Sequence, residues 1–188
     1  MVIIMKSKAL KSAKQWAGIL AALISYYIVH EGTHLLLALL FGVFERIRFV
    51  GIWGIQIVIS DGGLVGYKLA FFNGISSIVT IALGYLLAFS PRVYQLKSRA
   101  LLIALYYITI CFLLLDPIYL SVLTLLIGGG GDLNGITTGL DISDIPFRII
   151  FGGIAIINLI LFVKKVNKQY KRIFSCPESV SININGGA

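Results

Sequence analysis

The stretch WAGILAALISYYIVHEGTHLLLALLFG, from Trp16 to Gly42, decides the fold. Its second half carries His30, Glu31 and His34, and everything around them is apolar or weakly polar. A helix needs ~20 such residues to cross a ~30 Å hydrocarbon layer, and this run is longer than that. Lys6, Lys8, Lys11 and Lys14 precede it, as basic residues precede the core of a signal peptide. The run is too long for such a core, and no small-residue cleavage site with polar sequence follows it. A retained transmembrane helix is expected.

Three further apolar stretches lie downstream, at about 69–89, 100–127 and 147–163. The second ends at Ser90-Pro91. The third would reach ~42 Å as a straight helix. Pro117 inside it removes a backbone donor, so a kink, a tilt or a broken second half is expected. Splitting it into two full spans fails on length. Composition agrees with immersion in lipid. Of 188 residues, 58% are hydrophobic and 13% charged, against ~25% charged in a typical soluble domain. The expected fold is an all-α membrane protein of about four transmembrane helices. It forms a single multi-pass catalytic domain over 1–173, with a disordered cytoplasmic tail over 174–188.

The 16 Lys and Arg residues fix an orientation. With the N-terminus inside, twelve fall in inside segments: Lys6, Lys8, Lys11, Lys14, Arg92, Lys97, Arg99, Lys164, Lys165, Lys168, Lys171 and Arg172. Four fall outside: Arg46, Arg48, Lys68 and Arg148. Both ends are therefore expected in the cytoplasm of a cell-membrane protein. The net charge of +8 does not point to nucleic acid, because the cations sit between apolar runs rather than in one basic patch. Cys111 lies in an apolar run and Cys176 in a polar tail, so two unpaired thiols are expected. Residues 46–60 are rich in β-branched and aromatic side chains, with Gly51 and Gly54 among them. They suit a short membrane-associated hairpin or an irregular interfacial loop.

His30-Glu31-Gly32-Thr33-His34 has the form H-E-x-x-H. Residues four apart share one helix face, ~6 Å apart along the axis. Two imidazoles so placed can converge on one Zn2+ ion, with Glu31 beside them as general base. The chain has only two histidines, which makes this spacing a specific signal. A charged group near the middle of a membrane helix costs roughly 2.5–3.5 kcal/mol, so such residues are functional by default. The alternative is a pair of interhelical hydrogen-bonding histidines with an incidental Glu31.

A catalytic zinc takes three protein ligands, and a carboxylate commonly serves as the third. Glu45 beside Arg46 and Glu178 in the tail are poorly placed, and Asp141 and Asp144 read as solvated loop residues. Asp132 is the first choice. It follows Gly128-Gly-Gly-Gly131, a run that permits sharp reversal and close backbone approach. It also emerges on the side of the membrane where His34 lies. An ordinary helix N-cap is its other reading. Asp116, deep in the third span before Pro117, is the alternative ligand. It could instead pair with Arg148 or with backbone freed by the proline.

These features resemble the site-2 protease family of intramembrane zinc metalloproteases. The likeness rests on His30-Glu31-x-x-His34 with Ala38 in a membrane helix, the strand-like segment after it, and a span opening with Phe72-Asn73-Gly74. Asp132-Leu133-Asn134-Gly135 resembles the family's aspartate-glycine motif, with Leu133 and Asn134 standing between the two. The likeness covers roughly residues 16–145. It implies that His30, His34 and Asp132 bind zinc and that Glu31 is the general base. The expected activity is hydrolysis of peptide bonds in or near the membrane segments of a protein or peptide substrate. Asn73 and Asn134 are candidate donors to a developing oxyanion, or else satisfy buried backbone groups. A non-catalytic zinc-binding scaffold and a metal or proton transporter are the alternatives. The second is disfavoured because the chain shows no internal repeat.

Overall fold

The computed structural model describes residues 2–49, 54–127 and 131–175. Gly51, Gly128 to Gly130, Cys176, Glu178 and the rest of the tail lie outside the described residues. Four helices are long and apolar enough to span a membrane: Ser12–Leu40, Tyr67–Phe89, Arg99–Leu126 and Ile145–Ser175. They match the four expected runs.

The first helix, α1 (Val2–Leu40), buries one narrow stripe. Gly18, Ala22, Tyr26, His30, His34 and Ala38 are buried at every fourth position. This is the i±4 ridge by which helices pack. Leu20, Ile24, Ile28 and Leu36 lie off the stripe and are exposed, as lipid-facing residues should be. Gly42 ends the helix at φ +68°, a conformation that favours glycine. Val43 N–H bonds Ala38 O at 2.9 Å and Gly42 N–H bonds Leu39 O at 3.1 Å. This C-cap satisfies two carbonyls that the helix end leaves free and turns the chain into β1.

Strands β1 (Phe44–Phe49) and β2 (Ile55–Ile59) form an antiparallel hairpin, with Ile47 opposite Ile57 and Arg48 opposite Gln56. Of the two readings left open for residues 46–60, the hairpin is the observed one. It begins two residues earlier than the composition suggests. Val43, Ile57 and Leu64 pack with Ala38 and Phe72, which ties the hairpin to the end of α1.

Helix α2 (Tyr67–Phe89) runs against α1 and buries small and polar residues, Ser76, Ser77, Thr80 and Gly84 among them. Small residues let membrane helices approach closely, and Gly84 lies directly on Leu113. Ser90 is extended and Pro91 opens a single turn, α3 (Pro91–Tyr94), as the backbone limits on a pre-proline residue require. Helix α4 (Arg99–Ile118) then returns through the centre of the bundle.

Pro117 does not split this span. It is followed by a π-helical turn, Tyr119–Leu123, and one α-helical turn, α5 (Thr124–Ile127). A proline cannot donate to the carbonyl four residues back, here that of Leu113. Asn158 takes that place: its Nδ2 donates to Leu113 O at 2.6 Å, and its Oδ1 accepts from Tyr85 at 2.5 Å. Ser121 Oγ donates to Pro117 O at 2.6 Å. Neighbouring side chains thus satisfy the backbone groups that the irregularity frees, as an apolar solvent demands.

Helix α6 (Gly131–Leu140) packs across α2, and α7 (Ile145–Leu161) crosses back beside α4. A second π-helical turn, Phe162–Val166, carries α7 into α8 (Asn167–Ser175) without a break. The fourth helix therefore runs well beyond residue 163, and positions 174 and 175 are helical rather than part of a tail. Arg148 does not pair with Asp116. It donates to Asp144 at 2.6 Å and to Thr124 at 2.7 Å, joining the start of α7 to α5. Asp144 is accordingly not a free loop carboxylate: the Arg148 guanidinium bonded to it lowers its pKa from the usual value.

Candidate metal centre

Helix α1 presents His30 and His34 one turn apart, both buried, with ring centroids 5.1 Å apart. Asp132 reaches them from the first turn of α6, 102 residues later in sequence than His30. Its Oδ2 lies 3.0 Å from His30 Nε2 and its Oδ1 lies 3.4 Å from His34 Nε2. Asp132 therefore lies inside the first turn of α6 rather than at its N-cap.

Close packing delivers Asp132 to this place. A Cβ on Gly139 would stand 2.6 Å from Ala70 N and from Gly66 O, and one on Gly135 would run into the Asn73 side chain. Glycine at 139 lets the two backbones come this close, and glycine at 135 leaves room for the Asn73 side chain. Gly131 opens α6, while the rest of the glycine run falls among the undescribed residues.

One donor atom each from His30, His34 and Asp132 lie within 4.8 Å of one another. Ligands held at ~2.0–2.1 Å around a tetrahedral ion stand ~3.4 Å apart. Each histidine thus has one Asp132 oxygen at about that distance, though not the same oxygen, and the widest separation in a set of one atom each has at most about 1.4 Å to close. The charge balance points the same way. Glu31, Asp116 and Asp132 surround two imidazoles, and none of the described lysines or arginines pairs with them. Buried carboxylates in an apolar medium need a counter-charge, and a divalent cation between the imidazoles provides one. The residues fit a metal ion.

Asp116 lies behind His30, opposite the Asp132 side. Its Oδ1 is 3.3 Å from His30 Nδ1 and accepts from Tyr26 Oη at 2.5 Å, while Oδ2 accepts from Thr80. It is fully buried. Tyr26 Oη is also 3.2 Å from His30 Nδ1. With the Tyr26 proton committed to Asp116, the proton on His30 belongs on Nδ1, which leaves the Nε2 lone pair free for an ion. A carboxylate in this position fixes the ring and its tautomer. The two aspartates weighed as ligands thus occupy different places, one on the metal-facing nitrogen and one on the other. His34 has no such support: its Nδ1 is buried without a partner among the described residues, and the ring rests on Phe72 at 4.9 Å.

Glu31 is half-buried and its carboxylate faces the backbone N–H of Ile57. It borders a cleft of about 380 Å³ together with Tyr26, His30, Gln56, Tyr119 and Asp132. The hairpin therefore forms one wall of the cleft that reaches His30. Asn73 lies on α2, where one N–H of its Nδ2 donates to Leu69 O at 2.8 Å. Asn134 is exposed and does not line the cleft. Tyr26 and Thr80 are the site residues that sequence reading passed over. Tyr26 carried a signal, four positions before His30 on the same face of α1. Thr80 carried none.

Comparison with protein-family models, with curated proteins and with solved structures gives no match.

Proposed function

We propose that the chain is an intramembrane zinc metalloprotease of the site-2 type, with both termini cytoplasmic. One observation carries the reading: Asp132 comes from a distant helix to the pair of imidazoles in H-E-x-x-H, beside a glutamate that opens onto a cleft. The resemblance noted in His30-Glu31-x-x-His34 and in Asp132-Leu133-Asn134-Gly135 supports the same assignment.

His30 Nε2, His34 Nε2 and a carboxylate oxygen of Asp132 would hold the ion. Zinc bound there would supply Lewis-acid activation of water and of the scissile carbonyl. Glu31 takes a proton from water on its free carboxylate oxygen and delivers it to the leaving amine. Asp116 and Tyr26 keep the His30 proton on Nδ1. The helices of the bundle limit bulk water to the cleft side. A helical substrate segment must unwind before its carbonyls are accessible, and the hairpin wall offers backbone groups on which an extended peptide can pair.

Glu31→Gln tests the reading. The variant should bind zinc as the wild type does and lose cleavage of a reconstituted membrane-protein substrate. A scaffold would cleave nothing in either form, and a transporter would show metal or proton flux. Either result would refute the proposal.

A further inference from the structure

The helix that begins at Ile145 continues to Ser175, farther than a bilayer core requires. Its apolar surface stops at Val163, which is exposed. Beyond that point Val166 and Tyr170 are fully buried against Tyr94 and Tyr106, so this end of the helix is fixed to the bundle. The opposite face carries Lys164, Asn167, Lys168, Lys171, Arg172 and Ser175, which line one shallow groove. Their spacing of three and four residues is one helical stripe.

The groove is cationic and unneutralised. Residues 145–175 contain no aspartate or glutamate. Among the described residues, none of the four cations forms an ion pair. Lys165 stands off the stripe, over the Phe89 ring at 3.5 Å. Topology asks only that cations lie near the end of a span. It does not ask that they share one face, with two hydrogen-bonding side chains among them.

Depth identifies the occupant. The headgroup layer is ~5–8 Å thick on each side of the hydrocarbon core. At ~1.5 Å per residue, Lys168 stands ~6 Å above Lys164 and Arg172 ~12 Å above it. With Lys164 at the edge of the hydrocarbon, Lys164 and Lys168 lie at headgroup level, and Lys171 and Arg172 stand just beyond it, ~10–12 Å above Lys164. We propose that this groove on the cationic end of the fourth helix binds the phosphate headgroup of an anionic phospholipid. The phosphodiester sits between Lys164 and Lys168, and Asn167 is the neutral donor beside it.

Native mass spectrometry of the full chain in detergent tests this, with equimolar phosphatidylglycerol and phosphatidylcholine of matched acyl chains. The wild type should retain phosphatidylglycerol preferentially. Lys164→Gln/Lys168→Gln/Lys171→Gln/Arg172→Gln should reduce that preference by about fivefold or more, given the ~1 kcal/mol contributed by each cation near an anionic surface. Arg92→Gln/Lys97→Gln, at the same end but off the groove, and the charge-retaining Lys164→Arg/Lys168→Arg should both keep it. Glycerol phosphate in excess should not displace the lipid. The proposal is overturned if the wild type shows no preference, or if the fourfold variant keeps it. It is equally overturned if either control loses the preference, or if glycerol phosphate displaces the lipid, which would make the ligand a soluble phosphate.

Discussion

Replacing Asp116 by asparagine separates a metal ligand from the group that supports one. The side chain is fully buried and meets Tyr26 and His30 through Oδ1 and Thr80 through Oδ2. An asparagine with its oxygen toward Tyr26 keeps that acceptor, and its amide meets Thr80 Oγ1, which can accept. The fold should therefore survive, and the loss is confined to the charge behind His30 Nδ1. Removing such a partner weakens metal binding by about 10–100-fold, or ~1.4–2.7 kcal/mol. The assay is zinc competition against a chromophoric chelator, on purified Asp116→Asn beside wild type and Asp132→Ala. Asp116→Asn should still bind one zinc at reduced affinity, and Asp132→Ala should lose more. A change within about threefold, well under the expected range, would show that Asp116 does not support His30. A loss as deep as that of Asp132→Ala would make Asp116 itself a ligand.

Other expectations follow from packing. Gly139→Ala sets a Cβ against two backbone atoms that cannot swing aside. It should lower stability by about 1–3 kcal/mol and reduce metal content by withdrawing Asp132, whereas Gly131→Ala, with open space around it, should do neither. Thermal melting and metal analysis read both. Asn158→Leu strands Leu113 O beside Pro117 and should cost about 1–2 kcal/mol; an unchanged melting curve in micelles would remove Asn158 from the account. Gln56→Pro breaks the hairpin at the cleft wall and should reduce cleavage while zinc content stays at wild-type level; undiminished cleavage would show that the hairpin holds no substrate.

The four spans were legible because lipid imposes a strong length and polarity rule, and each apolar run met it. The H-E-x-x-H site was legible because helical spacing is local. The hairpin could be read only as one of two options, since its pairing depends on the cap at Gly42 and on contacts with Ala38 and Phe72. What sequence could not give was pairing across the bundle. A pair between Asp116 and Arg148 was one of the options open for Asp116, since both are charged and near membrane segments. Helix rotation instead turns one toward His30 and the other toward Thr124 and Asp144. The role of Gly135 and Gly139 was hidden for the same reason: a close approach involves two elements, and the sequence names only one. Asn134 read as a site residue from its place in a motif, yet the turn of α6 that brings Asp132 inward leaves Asn134 exposed.

The central claim is that one divalent ion binds at His30, His34 and Asp132. Zinc stoichiometry on folded, purified protein tests it most directly, measured for the wild type and for His30→Ala, His34→Ala and Asp132→Ala. One equivalent in the wild type and a marked loss in each variant is the expected result. Folded wild-type protein that takes up no metal, or variants that keep the full equivalent, would contradict it.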